Sequence, residues 1–211
     1  MGTDTLEIRH EEADGRGALY INGNEKNEIV RVDTASNQVE AHWPMSTCKG
    51  PTGLAIDAQT QRLFSSCRNN VMVVVDATNG RLMTTLPIGR GTDAAAFDPK
   101  RHLAFSSNGM DGTISIIEEK DANTFVSTGT VKTAMSARTM AVDPESGRLY
   151  LAAADIDPNA PPMAPPGDAP PGPPPGGVAN GPPGPGGPGG PPRRLPFVPG
   201  SLKLLFLDPV P

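Results

Sequence analysis

The sequence has little of what many functional classes require. No run of basic residues is longer than two and the net charge is −5, which excludes an extended phosphate-binding surface. No uninterrupted apolar stretch approaches the ~18 residues of a membrane-spanning helix. The first ten residues, MGTDTLEIRH, lack a basic region followed by an apolar one, so no secretory signal is expected there. Leu6 stands where a myristoylation pattern needs Ser or Thr. The three histidines, His10, His42 and His102, have no ligand spacing among themselves, and no zinc site is expected. There is no Gly-x-Ser-x-Gly elbow, and neither cysteine sits with a histidine in a nucleophile context. GRGTDA (Gly89–Ala94) matches a dinucleotide pattern, but AAAFDP follows it and leaves no room for the helix that would hold pyrophosphate. No catalytic residue, metal or cofactor is therefore assigned.

What the sequence does have is a repeat. GLAIDAQTQRLFSSC (Gly53–Cys67), AAFDPKRHLAFSS (Ala95–Ser107) and TMAVDPESGRLYLAA (Thr139–Ala153) align. In each, an apolar run ends in Asp, a polar turn follows, and a second run carries Leu near its start. A weaker copy, ADGRGALYING, precedes them (Ala13–Gly23). The aligned residues Asp14, Asp57, Asp98 and Asp143 recur at intervals of 43, 41 and 45. A further strand-like run follows each copy: EIVRVD, VMVVVD, TISIIE and, later, SLKLLFLD. In the first three copies a fourth run comes next. The turns DTASN, DATNG, DPKR and DPESG have the chemistry of tight turns, in which the Asp caps backbone amides. No segment longer than ten residues has a helical period. Four strands per ~40–45 residues predict an all-β propeller of about four antiparallel blades. VMVVVD, apolar on both faces, fits a strand buried between two blades.

NNVMVVVDATNGRLMTTLPIG and the LYIN of Leu19–Asn22 resemble the YVTN-repeat, YncE-like β-propellers of bacteria. GPTGLAID, DAAAFD, FSSNGMDGTISII and ARTMAVDP are similar to the C-terminal half of such proteins. The resemblance implies a propeller of about seven blades, of which four copies are present here, and a secreted, periplasmic habit. It also implies a fold that hosts many unrelated activities. A chain complete as given would, without a leader, be cytoplasmic. The first copy departs from the pattern, because its innermost strand reads His10-Glu11-Glu12-Ala13 where apolar residues are expected. The last copy lacks an outer strand, which Thr5–His10 (TLEIRH) is expected to supply by circular closure; a second copy of the chain is the other candidate to complete the ring.

With strands A to D running outward from the axis, the D–A and B–C loops gather on one face. Thr52, Asp93, Arg138 and Thr139 are expected round the channel mouth, with Arg68, Asn69 and Asn108 further out. Together they suit a small polar or anionic ligand. Asp93 also suits capping of its own turn, and Arg138 an ion pair with Asp93. Cys48 and Cys67 fall at the same end of the hairpin of the second copy. A disulfide is plausible there and would imply an oxidising compartment.

The Pro/Gly-rich stretch Asp157–Arg194 completes the reading. Between Pro158 and Pro199 lie 18 of the 25 prolines and 10 of the 24 glycines, too little apolar surface for a core. Its glycines keep no period of three, so it is not collagen-like. Strand C of the same blade follows it. Residues 156–200 are therefore expected to be a disordered loop inserted between strands of the last blade, able to shade the channel mouth or recruit a proline-binding partner. The function expected is a non-enzymatic binding or scaffold module. A propeller-type hydrolase or lactonase with a channel metal is the alternative. Single-stranded nucleic-acid binding ranks lower, because one Trp, two Tyr and six Phe on an acidic chain give few stacking platforms.

Overall fold

A computed structural model describes residues 8–159 and 197–209. Fifteen strands and no helix occur among them. The first sheet comprises β1 (Ile8–Ala13), β2 (Ala18–Gly23), β3 (Glu28–Asp33) and β4 (Gln38–Pro44). The second comprises β5 (Pro51–Asp57), β6 (Arg62–Cys67), β7 (Val71–Asp76) and β8 (Leu82–Pro87). The third comprises β9 (Thr92–Asp98), β10 (Leu103–Asn108), β11 (Thr113–Asp121) and β12 (Thr124–Lys132). The fourth has three strands among the described residues: β13 (Met140–Val142), β14 (Leu149–Ala153) and β15 (Lys203–Leu207). Every sheet is antiparallel with neighbours in chain order. The turns close as their Asp residues predict. Asp14, Asp57, Asp76, Asp98 and Asp143 each accept the amide two residues on, at 2.7–2.9 Å, and Asp33 accepts that of Ser36 at 2.7 Å.

The sheets stack through their faces. The first strands β1, β5, β9 and β13 lie side by side in sequence. One apolar cluster joins the first and second sheets through Tyr20, Ile29, Leu54 and Val73. A second joins the second and third through Phe64, Met72, Phe97 and Ile117. A third joins the third and fourth through Phe105, Ile114, Leu149 and Leu151. The same place on each second strand therefore sends an aromatic ring into the following sheet: Tyr20, Phe64, Phe105. One step beyond the next residue, a fully buried polar side chain ties the sheets together. Asn22 donates to the carbonyl of Gly53 (3.0 Å), Ser66 to Ser106 Oγ (2.9 Å), and Ser107 to the carbonyl of Arg138. The inner strands approach so closely that a Cβ on Gly53 would run into the backbone nitrogen of Ala95.

In the fourth sheet Tyr150 holds the aromatic position and meets Phe206 edge-on at 5.5 Å. On this face Leu204 and Phe206 stay 60% and 55% exposed. Of the stretch Thr5–His10 expected to close the last blade, Ile8–His10 belong to β1 instead, with Ile8 in register with Gly23 of β2, and residues 5–7 lie outside the described residues.

Between β14 and β15 the chain runs through Ala154–Ser201, a unit of its own. Its described ends meet at an isolated bridge between Ile156 and Phe197 and a bond from Val198 N to the Asp155 carbonyl (2.8 Å). The Pro/Gly-rich loop, residues 160–196, lies outside the described residues. β14 and β15 pair directly over five residues, Leu149–Ala153 against Leu207–Lys203, as the second and third strands of one sheet.

Candidate functional site

The inner strands and the turns at one of their ends line an open cavity of about 540 Å³. Ala55 and Ile56 of β5, Ala95 and Phe97 of β9, and Met140 and Val142 of β13 supply small and apolar walls. β1 supplies His10 and Glu12, whose Nε2 and Oε1 stand 3.5 Å apart. The charged residues that break the apolar pattern of the first copy therefore line the cavity. Asp57, Gln59, Pro99 and Pro144 also border it, and all belong to turns between the first and second strands or to the strand ends that enter them. The cavity thus lies towards that end of the sheets. None of the seven residues expected at the channel mouth lines it.

Those seven lie on or beside the opposite loops, and the structure gives several of them structural work. Asn69 accepts Lys49 N (2.9 Å) and donates to the Thr47 carbonyl (2.9 Å), fastening one loop to the other. Thr52 is buried and bonds the Ser66 carbonyl (3.1 Å) and Thr92 Oγ1 (3.2 Å). Asn108 is fully buried and donates to Thr113 and Ser115 hydroxyls, while its Oδ1 has no partner. Asp93, Arg68 and Thr139 are exposed. Arg138 is half-buried beside Gly109, and its Nε is buried without a hydrogen-bond acceptor. Asp93 and Arg138 form no ion pair. The cross-loop pair is Arg90–Asp111 instead, with Nε to Oδ1 at 2.8 Å, and the amide and guanidinium of Arg90 hold the Asp111 carboxyl below its usual pKa.

Cys48 and Cys67 are joined by a disulfide, with their Cα atoms 5.5 Å apart. The bridge ties the loop before β5 to the end of β6, and both cysteines are buried in the first apolar cluster. Among the described residues no three His, Cys, Asp or Glu side chains converge as a metal would require. No helix there is long and apolar enough to cross a membrane.

No family model matches the sequence, and neither does any curated protein. Solved structures do. Hydrazine synthase from Kuenenia stuttgartiensis superposes with a TM-score of 0.63 at 16% identity, covering 73% of this chain and 44% of that one. U3-55K superposes with a TM-score of 0.58 at 15% identity, covering 74% and 48%. The fold is a β-propeller. Four blades are present among the described residues, and the chain spans less than half the length of each of these two structures.

Proposed function

We propose that this propeller is a non-enzymatic binding module and that the cavity among its inner strands receives a small polar ligand. The observation that carries this is the cavity itself. At about 540 Å³ it has the size of a small-molecule site, with apolar walls and a few convergent polar groups in His10, Glu12, Asp57 and Gln59. The part-exposed Glu12 carboxylate favours a ligand that is hydroxylated or cationic. The test is an amide-resolved NMR titration with glucosamine, which is both. Amides of β5, β9 and β13 are expected to shift, and Ala141→Trp, which fills the cavity from an exposed position, is expected to abolish the shifts. Shifts that survive Ala141→Trp, or none at all, would remove this reading.

A second reading places an anionic ligand on the loop face, supported by the unpaired Nε of Arg138 and the exposed guanidinium of Arg68. In the same titration citrate would then move amides of 89–93 and 108–112 instead. The hydrolase or lactonase reading would gain from a melting temperature raised by Ca²⁺ or Zn²⁺ and restored by EDTA.

The bridge Cys48–Cys67 supports residence in an oxidising compartment, periplasmic or extracellular, in line with the YncE-like resemblance. The exposed Leu204 and Phe206 support a partner for the fourth blade, and a second copy of the chain completing the ring is the partner proposed. A sedimentation mass of twice the chain supports the dimer, and a monomer at micromolar concentration removes it.

A further inference from the structure

Between the second and third blades, at the turn end of their interface, four buried oxygens have no hydrogen-bond partner: Asp57 Oδ2, Thr60 Oγ1, and both Oε1 and Oε2 of Glu119. They belong together. Asp57 ends β5 and Thr60 lies in the turn after it, while Glu119 is on β11. Ile117, two residues before Glu119 and on the same face, is in the apolar cluster shared by the two blades, with Phe64 stacked on Phe97 and met edge-on by Phe125. The Glu119 carboxyl thus sits at the end of an apolar core, 3% exposed, as is Asp57. Thr60 Oγ1 is near it but outside hydrogen-bonding geometry.

The charges around the carboxyl come from every element packed there. Asp57 is the near anion. Arg62, from the start of β6, faces it but is held by others: its Nε bonds the Ala122 carbonyl (2.7 Å) and its NH1 lies 3.4 Å from Asp76 Oδ1. His102, from the turn before β10, keeps Nδ1 3.8 Å from Asp57 Oδ2, with its ring part-exposed against Phe97. An ionised Glu119 would therefore be a desolvated charge beside a second carboxylate, with the Thr60 hydroxyl, out of good hydrogen-bonding geometry, as its nearest donor.

One proton resolves the arrangement. With a carboxylic acid at Glu119, its O–H can donate to Asp57 Oδ2, and the Thr60 hydroxyl can donate to the other Glu119 oxygen. All four orphaned atoms then have partners.

We propose that Glu119 carries a proton in the folded protein and shares it with Asp57, so that a hydrogen-bonded acid–carboxylate pair latches the β11–β12 hairpin onto the neighbouring blade. Burial pushes the Glu119 carboxyl above its ordinary 4.5; the Thr60 hydroxyl pulls the other way, the charge of Asp57 adds to the rise, and His102 and Arg62 oppose it less. The sign follows. Because the folded state holds this proton more tightly than the unfolded chain, the latch contributes in full below the unfolded value near 4.5 and is lost as pH rises through the raised one. The latch shares Asp57 with the cavity lining, but it is read from stability with no ligand present, so its failure is distinct from that of the binding reading.

The test is Glu119→Gln, which keeps a neutral donor and acceptor without a titrating group. Wild type and variant are expected to melt together near pH 5. At pH 8 the variant is expected to melt higher by about 2–4 °C. A difference independent of pH, or a variant less stable at pH 8, would overturn the proposal. So would Ca²⁺ raising the melting point of wild type but not of the variant, which would make the four oxygens a cation site. An infrared band of a protonated carboxylic acid at neutral pH is expected in wild type and not in Glu119→Gln. If the variant fails to fold, the wild-type spectrum decides, and absence of that band sinks the latch.

Discussion

Phe64→Ala is expected to destabilise the protein by about 3–5 kcal/mol, the range for removing a large buried ring. The ring is fully buried, stacked on Phe97 at 5.3 Å and met edge-on by Phe125 at 5.9 Å. Those two rings come from the adjacent blade, so Phe64 is the hinge-pin of one blade-to-blade contact, and the close inner-strand approach at Gly53 restricts collapse of the cavity left behind. A urea titration measures the loss as a lower midpoint with the slope unchanged. Phe64→Leu, which keeps much of the volume, is expected to cost far less, about 1.5 kcal/mol. A loss under 1 kcal/mol for the alanine variant would mean that the interface repacks freely and that blade stacking depends little on this ring.

The double variant Cys48→Ala/Cys67→Ala is expected to lose about 3 kcal/mol, from the loop-closure entropy of a bridge spanning 19 residues. For a chain of this size that is a fall in melting temperature of roughly 6–12 °C. Alanine removes one sulfur at each buried position and so leaves only a small cavity, and the loss reads mainly on the cross-link. Reductant should lower the wild type to the level of the variant and leave the variant unchanged. If reductant has no effect on wild type, the bridge contributes nothing to stability under those conditions. The consequence reaches the loop face, because the bridge fixes the 46–52 loop, which Asn69 also clasps at Lys49 and Thr47.

The repeat was legible because each copy writes the same local physics. An apolar run, an Asp that caps the next turn and a second run beginning around Leu need only neighbours in sequence to form a hairpin. The predicted Asp caps formed at 2.7–2.9 Å for this reason. The pairing of Cys48 with Cys67 was also open to sequence, since it follows from counting residues around one hairpin.

The candidate cavity was not legible, although one sign of it was present. His10 and Glu12 broke the apolar rule of an inner strand, which reads as a ragged copy until the other three inner strands are placed around it. Conversely, Asn69, Thr52 and Asn108 look available in a loop reading, but the folded chain spends them on joining loops and strands. Asn22, Ser66 and Ser107 show the same limit. They read as strand polars of no special role, yet each bonds the following blade across 31 to 40 residues of chain.

By itself, then, the sequence determined the hairpins, their caps and the number of repeats, and made a staple between Cys48 and Cys67 plausible, because a hairpin and its caps depend on separations of about twenty residues or fewer; the structure closed the staple. Only the tertiary structure decided which polar groups face the cavity, which end of the blades it occupies, and that Glu119 and Asp57, 62 residues apart in sequence, are both buried with unpartnered oxygens. The reason is physical. A strand's period fixes which face a residue takes, but what covers that face comes from a neighbouring blade some forty residues away.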